Sequence, residues 1–121
     1  MPAPVGRLSH IVIDCHDPHA LARFWSQALD VAVAHEWNQY VMLAPTGKGH
    51  PGLAFQRVPE VKQGKNRVHL DLMVTDLDAA EAAVVALGGA RLHDHEQDGV
   101  RVRIMADPEG NELCLVKLPT A

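Results

Sequence analysis

Residues 68–73 read Val-His-Leu-Asp-Leu-Met. Side chains on an extended chain alternate with period 2, so Val68, Leu70 and Leu72 fall on one side and His69, Asp71 and Met73 on the other. The pattern predicts a strand over Arg67–Val74, with a histidine and an aspartate sharing one face. Leu8–Asp14 alternates in the same way, setting His10, Val12 and Asp14 against Ile11, Ile13 and Cys15. Leu21, Phe24, Trp25 and Ala28 then recur at helical spacing behind an Asp17-Pro18 start, which predicts an amphipathic helix over residues 18–29. Asp30–His35, Gln39–Ala44 and Leu53–Val58 read as strands, separated by a Pro/Gly-rich loop over residues 45–52.

The order then repeats. Pro59–Lys65 is a polar linker, and a second helix follows the strand at Arg67–Val74. Its apolar stripe is Leu77, Ala80, Val84 and Leu87. Thr75 and Asp76 stand where a cap belongs, Asp78 lies at capping-box spacing from Thr75, and Gly88-Gly89 ends it. Ala90–His93, Val100–Met105 and Glu112–Lys117 read as strands, with a turn at Asp107–Asn111; His93-Asp94-His95 runs into a polar loop. The chain is therefore one domain built of two β-α-β-β-β modules, residues 7–58 and 66–118. An offset of 59 residues carries His10 to His69, Asp17 to Asp76 and Ala20 to Ala79, while Ala54-Phe55 meets Cys114-Leu115 at 60. Two such units predict pairing about a pseudo-two-fold axis that brings the two histidines together, since neither covers its own sheet.

Composition narrows the field. At 121 residues the chain can bury a core, and 47% hydrophobic with 21% charged residues is ordinary for a globular protein. A net charge of −4 with no Lys/Arg cluster argues against a nucleic-acid partner. No apolar run reaches the ~20 residues of a membrane span, and the N-terminus lacks a signal peptide's apolar centre. Cys15 and Cys114 form no CxxC pair. A cytoplasmic location is the expectation.

The doubled module, the runs His10-Ile-Val-Ile-x-x-x-Asp17 and His69-Leu-x-Leu-x-x-x-Asp76, and the stretch Asp107-Pro-Glu-Gly-Asn-Glu-Leu-Cys-Leu resemble the vicinal oxygen chelate superfamily. That group includes glyoxalase I, extradiol dioxygenases and the fosfomycin and bleomycin resistance proteins. Residues 66–72 and the Glu112-Leu-Cys-Leu ending resemble its glyoxalase-like branch more narrowly. The resemblance implies an α+β fold: a curved eight-stranded mixed sheet around a central cleft, helices outside, in a homodimer.

It also implies a site. Metal-dependent members place one ligand on each of the first, fourth, fifth and eighth strands. His10 and His69 match two of these; Cys114 stands where Glu is usual, and Ala54, with Gln56 two residues on, holds the fourth. His10, His69 and Glu112 would make a two-histidine, one-carboxylate set for Fe, Mn, Ni or Zn, and Cys114 as third ligand would lean to zinc. On this reading Glu112 and Asp71 are the catalytic carboxylates, and Gln56, Asp14 and Cys114 contact substrate. The apolar neighbours Val12, Ala54, Met73 and Val116 on the same faces suit a small-molecule pocket. Three functions stay open: a metal-dependent lyase, isomerase or dioxygenase acting on a small oxygenated molecule, a metal-free protein sequestering a drug or metabolite, or a structural or interaction module that keeps the fold without the site. Equally, the histidines could only line a pocket, and Cys114 could be a small buried hydrophobe.

Overall fold

The structure is a computed structural model describing residues 4–119, with Gln97 described by its backbone alone. The chain forms two compact units, Met1–Val61 and Lys62–Ala121. In the first, β1 (His10–Cys15) leads to α1 (Pro18–Leu29), then β2 (Val33–Glu36), β3 (Tyr40–Leu43) and β4 (Gly52–Arg57). In the second, β5 (Leu70–Met73) leads to α2 (Leu77–Ala86), then β6 (Ala90–Gln97), β7 (Val100–Ala106) and β8 (Glu112–Lys117). Each unit is the β-α-β-β-β module that the repeat predicts, and the fold is α+β with two four-stranded mixed sheets.

The sheets share one topology, β1-β4-β3-β2 and β5-β8-β7-β6. In each, the first strand pairs in parallel with the last and the other pairings are antiparallel. The repeat extends to single atoms. Asp17 caps α1 by accepting from Ala20 N at 3.1 Å, and Asp76 caps α2 by accepting from Ala79 N at 3.0 Å. Asp76, not Thr75, is thus the N-cap of α2. Asp78 does not close a capping box either; its carboxylate turns to Arg103 instead.

In the first unit α1 buries Leu21, Ala22, Phe24 and Trp25 against Val41, Leu43, Leu53 and Phe55. In the second, Leu77 and Val84 of α2 cover Met105, Leu113 and Leu115. Gly89 ends α2 where a Cβ would stand 2.6 Å from both Ala106 O and Val84 Cγ1, so only glycine lets the helix end meet the edge of β7. Buried Asp107 accepts from Glu109 N, Asn111 N and Asn111 Nδ2, which folds the Asp-Pro-Glu-Gly-Asn turn and delivers β8 in register. Most strand bounds shift by one to four residues from the sequence reading, and two of the shifts bear on the site. β5 begins at Leu70 and not Arg67, leaving His69 just ahead of the strand. β6 runs on past His93 to Gln97, so Asp94 and His95 are strand and not loop.

Candidate functional site

Each sheet has a helix-covered face and an open face. On the second unit's open face, register lines up His93, Ile104, Cys114 and Asp71 in one row across β6, β7, β8 and β5. The next row is His95, Val102, Val116 and Met73. A groove of about 290 Å³ runs here, lined by Lys65, His69, His93, His95, Val102, Ile104, Glu112 and Cys114. Apolar floor with a few polar groups is the usual make-up of a small-molecule site.

A backbone irregularity supplies two of those groups. Between Arg91 and His93 the β6–β7 register slips by one residue at Leu92. Arg91 therefore lies on the helix side, 3.4 Å from Glu81 of α2, while His93 pairs with Ile104 on the open side. A bulge reverses which face the following residues take, and here it turns His93 and His95 into the groove. The first unit repeats the device at Ala34, between Val33 and His35.

His69, Asp71 and Cys114 come together on this face. Their ligand atoms all lie within 4.8 Å of one another, and His69 Nε2 is 3.4 Å from Asp71 Oδ1. Asp71 and Cys114 are register partners on adjacent parallel strands, so the backbone itself sets their spacing. Cys114 is buried, whereas His69 and Asp71 are exposed. Burial first, then the Asp71 carboxylate, pushes the Cys114 thiol above its ordinary range. One imidazole nitrogen, one carboxylate and one sulfur make a donor set that suits a borderline divalent cation.

Glu112 stands two residues before Cys114, and its carboxylate goes to Lys65 Nζ at 2.7 Å. That hydrogen bond holds Glu112 below the usual carboxylate range. Asn66 braces the same segment, donating from Nδ2 to Val68 O and Glu112 O. The remaining expected site residues belong to the first unit's open face. His10 pairs with Gly52, whose missing side chain leaves room for the ring, and its Nδ1 is 3.1 Å from Ser9 Oγ. Asp14, Gln56 and Tyr40 make one row, and Ala54 is fully buried between Val12 and Met42. Exposed Trp37 stacks on His35 with ring centroids 5.4 Å apart and lies 5.9 Å from Tyr40.

The structure thus brings together His69, Asp71 and Cys114, and gives Glu112 to Lys65. Sequence reasoning sets His93 and His95 aside as part of a polar, hydrated tract and does not find Lys65. The histidines are hidden because the bulge breaks the period-2 alternation, and Lys65 because it reads as the end of a linker.

The model of the glyoxalase-like domain matches residues 10–116. Comparison with curated protein sequences gives no significant match. Among solved structures, a glyoxalase/bleomycin resistance protein/dioxygenase family enzyme from Burkholderia phytofirmans PsJN is similar. Its TM-score is 0.78 at 17% identity, covering 93% of this chain and 99% of that one. A glyoxalase-related enzyme from Fulvimarina pelagi gives 0.73 at 18%, covering 93% and 88%. The fosfomycin resistance protein FosX from Mesorhizobium loti gives 0.72 at 16%, covering 95% and 93%. At these identities the likeness speaks for the fold, and the match over nearly the whole chain speaks for the family. The chain belongs to the glyoxalase-like domain family of the vicinal oxygen chelate superfamily.

Proposed function

We propose that this protein holds a small oxygenated molecule on the open face of its second unit, with a divalent cation as its partner in catalysis. The observation that carries this reading is the His69–Asp71–Cys114 cluster beside a groove floored by Val102 and Ile104. A bound cation supplies Lewis acidity to a ligand oxygen. The chain's own groups do the rest. Lys65 offers a positive charge to an anionic oxygen, and Glu112 stays ionised beside it as a proton acceptor. His93 and His95 line the groove as further polar contacts. A volume of about 290 Å³ limits the occupant to a small metabolite or drug fragment. The family resemblance alone supports a cytoplasmic homodimer.

A second reading has its own observation. Cys114 is buried, as a small hydrophobe lining a metal-free pocket that only binds its ligand would be. One experiment separates the two. Metal-free, untagged protein is screened by thermal shift against 2-oxoaldehydes, catechols, epoxides and small carboxylates, with and without Zn, Fe, Mn or Ni. The catalytic reading expects stabilisation that depends on metal, with turnover of the stabilising compound. A ligand present at 100 times its Kd raises stability by about 2.7 kcal/mol. Equal stabilisation without metal, and no turnover, identifies a sequestering protein. No stabilisation by any compound overturns the groove as a ligand site.

A further inference from the structure

We propose that Glu112 is a built-in occupant of an anion site in the groove: its carboxylate holds the Lys65 ammonium until a small molecule carrying a carboxylate takes its place. This rests on the reading of that face as a ligand site, and it adds the charge of the occupant and the contact that the occupant displaces.

The pair is unequal. The Glu112 side chain is 16% exposed, whereas that of Lys65 is 76% exposed and reaches in from the segment before β5. Their charge-assisted hydrogen bond is 2.7 Å long, and both residues line the groove. The carboxylate is thus the seated partner and the ammonium the movable one. An ion pair with one end in water contributes little net stability, so it exchanges readily for another of the same kind. Among the described residues lining the groove, Lys65 is the only lysine or arginine. Of the nearby carboxylates, Asp71 stands 3.4 Å from His69 Nε2, and Asp94 stands 2.9 Å from Arg103 Nε. An incoming carboxylate therefore meets Lys65 as the cation with a replaceable partner, while Val102 and Ile104 offer an apolar floor to its carbon end.

Asn66 makes the exchange local. Its Nδ2 donates to Val68 O at 3.1 Å and to Glu112 O at 3.4 Å, which ties the segment before β5 to the first residue of β8. The β5–β8 ladder begins only at Leu70, opposite Leu113, so this side chain does for residues 66–69 what ladder bonds do further on. Its Oδ1 is buried with no hydrogen-bond partner among the described residues, so the hold comes from the donor end alone. Lys65 can change partner by side-chain rotation while the backbone beside it stays fixed. Glu112 is not stranded by the exchange, because the Asn66 N–H and the Lys62 ammonium also favour its charge.

The test uses propionate and its neutral isostere propionamide, at fixed ionic strength, on the full, untagged, metal-free protein. NMR follows the Lys65 ε-methylene and the Val102 and Ile104 methyls. Propionate is expected to shift both sets of signals saturably, with propionamide much weaker. Lys65→Met is expected to erase that preference, and Lys65→Arg to keep it. The decisive variant is Glu112→Gln. With the built-in competitor neutralised, propionate binds about 2- to 5-fold tighter, the fold-change equivalent to an exposed ion pair. Unchanged or weaker propionate binding in a Glu112→Gln protein that melts like the parent overturns the proposal, because removing a competitor must raise affinity. Equal binding of propionate and propionamide, with the methyls shifted, also overturns it but keeps the groove as a ligand site. No methyl shift with either compound overturns the reading of the groove, and the proposal with it.

Discussion

Arg103 shows how one side chain can tie a helix to its sheet. Only 6% exposed, it donates from Nε and Nη2 to the two oxygens of Asp94, and from Nη1 to Asp78. Glu81 Oε1 adds a third carboxylate 2.9 Å from Nη1. A planar guanidinium suits this forked arrangement in a way lysine cannot. The carboxylates answer the cation: hydrogen bonding to Arg103 lowers both Asp78 and Asp94. Groups with lowered folded-state values stabilise the fold above their unfolded range and lose that contribution as pH falls through the folded one. Stability is therefore full at neutral pH and declines below about 4, the ordinary aspartate range. Arg103→Met is expected to cost about 1–3 kcal/mol at pH 7 and to flatten that acid limb, read by urea unfolding across pH. An acid limb unchanged in the variant would mean the network does not set it.

Among the elements, the end of α2 and the bulge in β6 settle what the open face presents. Gly89→Ala would place a methyl group 2.6 Å from backbone and side-chain atoms that cannot both move. A loss of about 1–3 kcal/mol is expected, with α2 displaced from β7; chemical denaturation and amide shifts at Ala106 would read it. Unchanged stability would mean that the helix end shifts freely. The elements were legible in the sequence wherever one period ran without interruption. Leu21, Phe24, Trp25 and Ala28 announce α1, and the Asp17/Asp76 and Ala20/Ala79 correspondences announce two copies of one module. Legibility failed where a backbone irregularity intervened. No residue type marks Leu92 as a bulge, so the strand reads as ending at His93 and the faces of His93 and His95 are not legible. The site was half legible for the same kind of reason. His69 and Asp71 lie two apart on one extended run, and their shared face follows from that spacing. The neighbourhood of Asp71 and Cys114 follows from strand order, and the choice of Lys65 by Glu112 follows from a linker's path. Neither has a local pattern.

At the scale of the whole molecule, the two units have the same topology, but their helices bury different numbers of side chains. α1 buries five side chains including Phe24 and Trp25, while α2 buries Leu77 and Val84. With roughly 1.5–3 kcal/mol for each large apolar side chain withdrawn from water, the first helix is held more firmly to its sheet. Native-state hydrogen exchange should show α2 amides opening at lower free energy than those of α1. Equal protection in both helices would refute the difference. The unit with the thinner core is also the one that holds the His69–Asp71–Cys114 cluster. There, Asp71 comes from the strand made first and Cys114 from the strand made last. While the chain is being synthesised, β6, β7 and β8 can assemble as a meander of neighbours. Asp71 must wait through that whole interval for its companion, because long-range parallel pairing closes the largest loop and comes slowly. The cluster therefore comes together only once β5 and β8 have paired. Any ligand bridging those two strands would act as a latch, holding the unit shut at the seam that closes last.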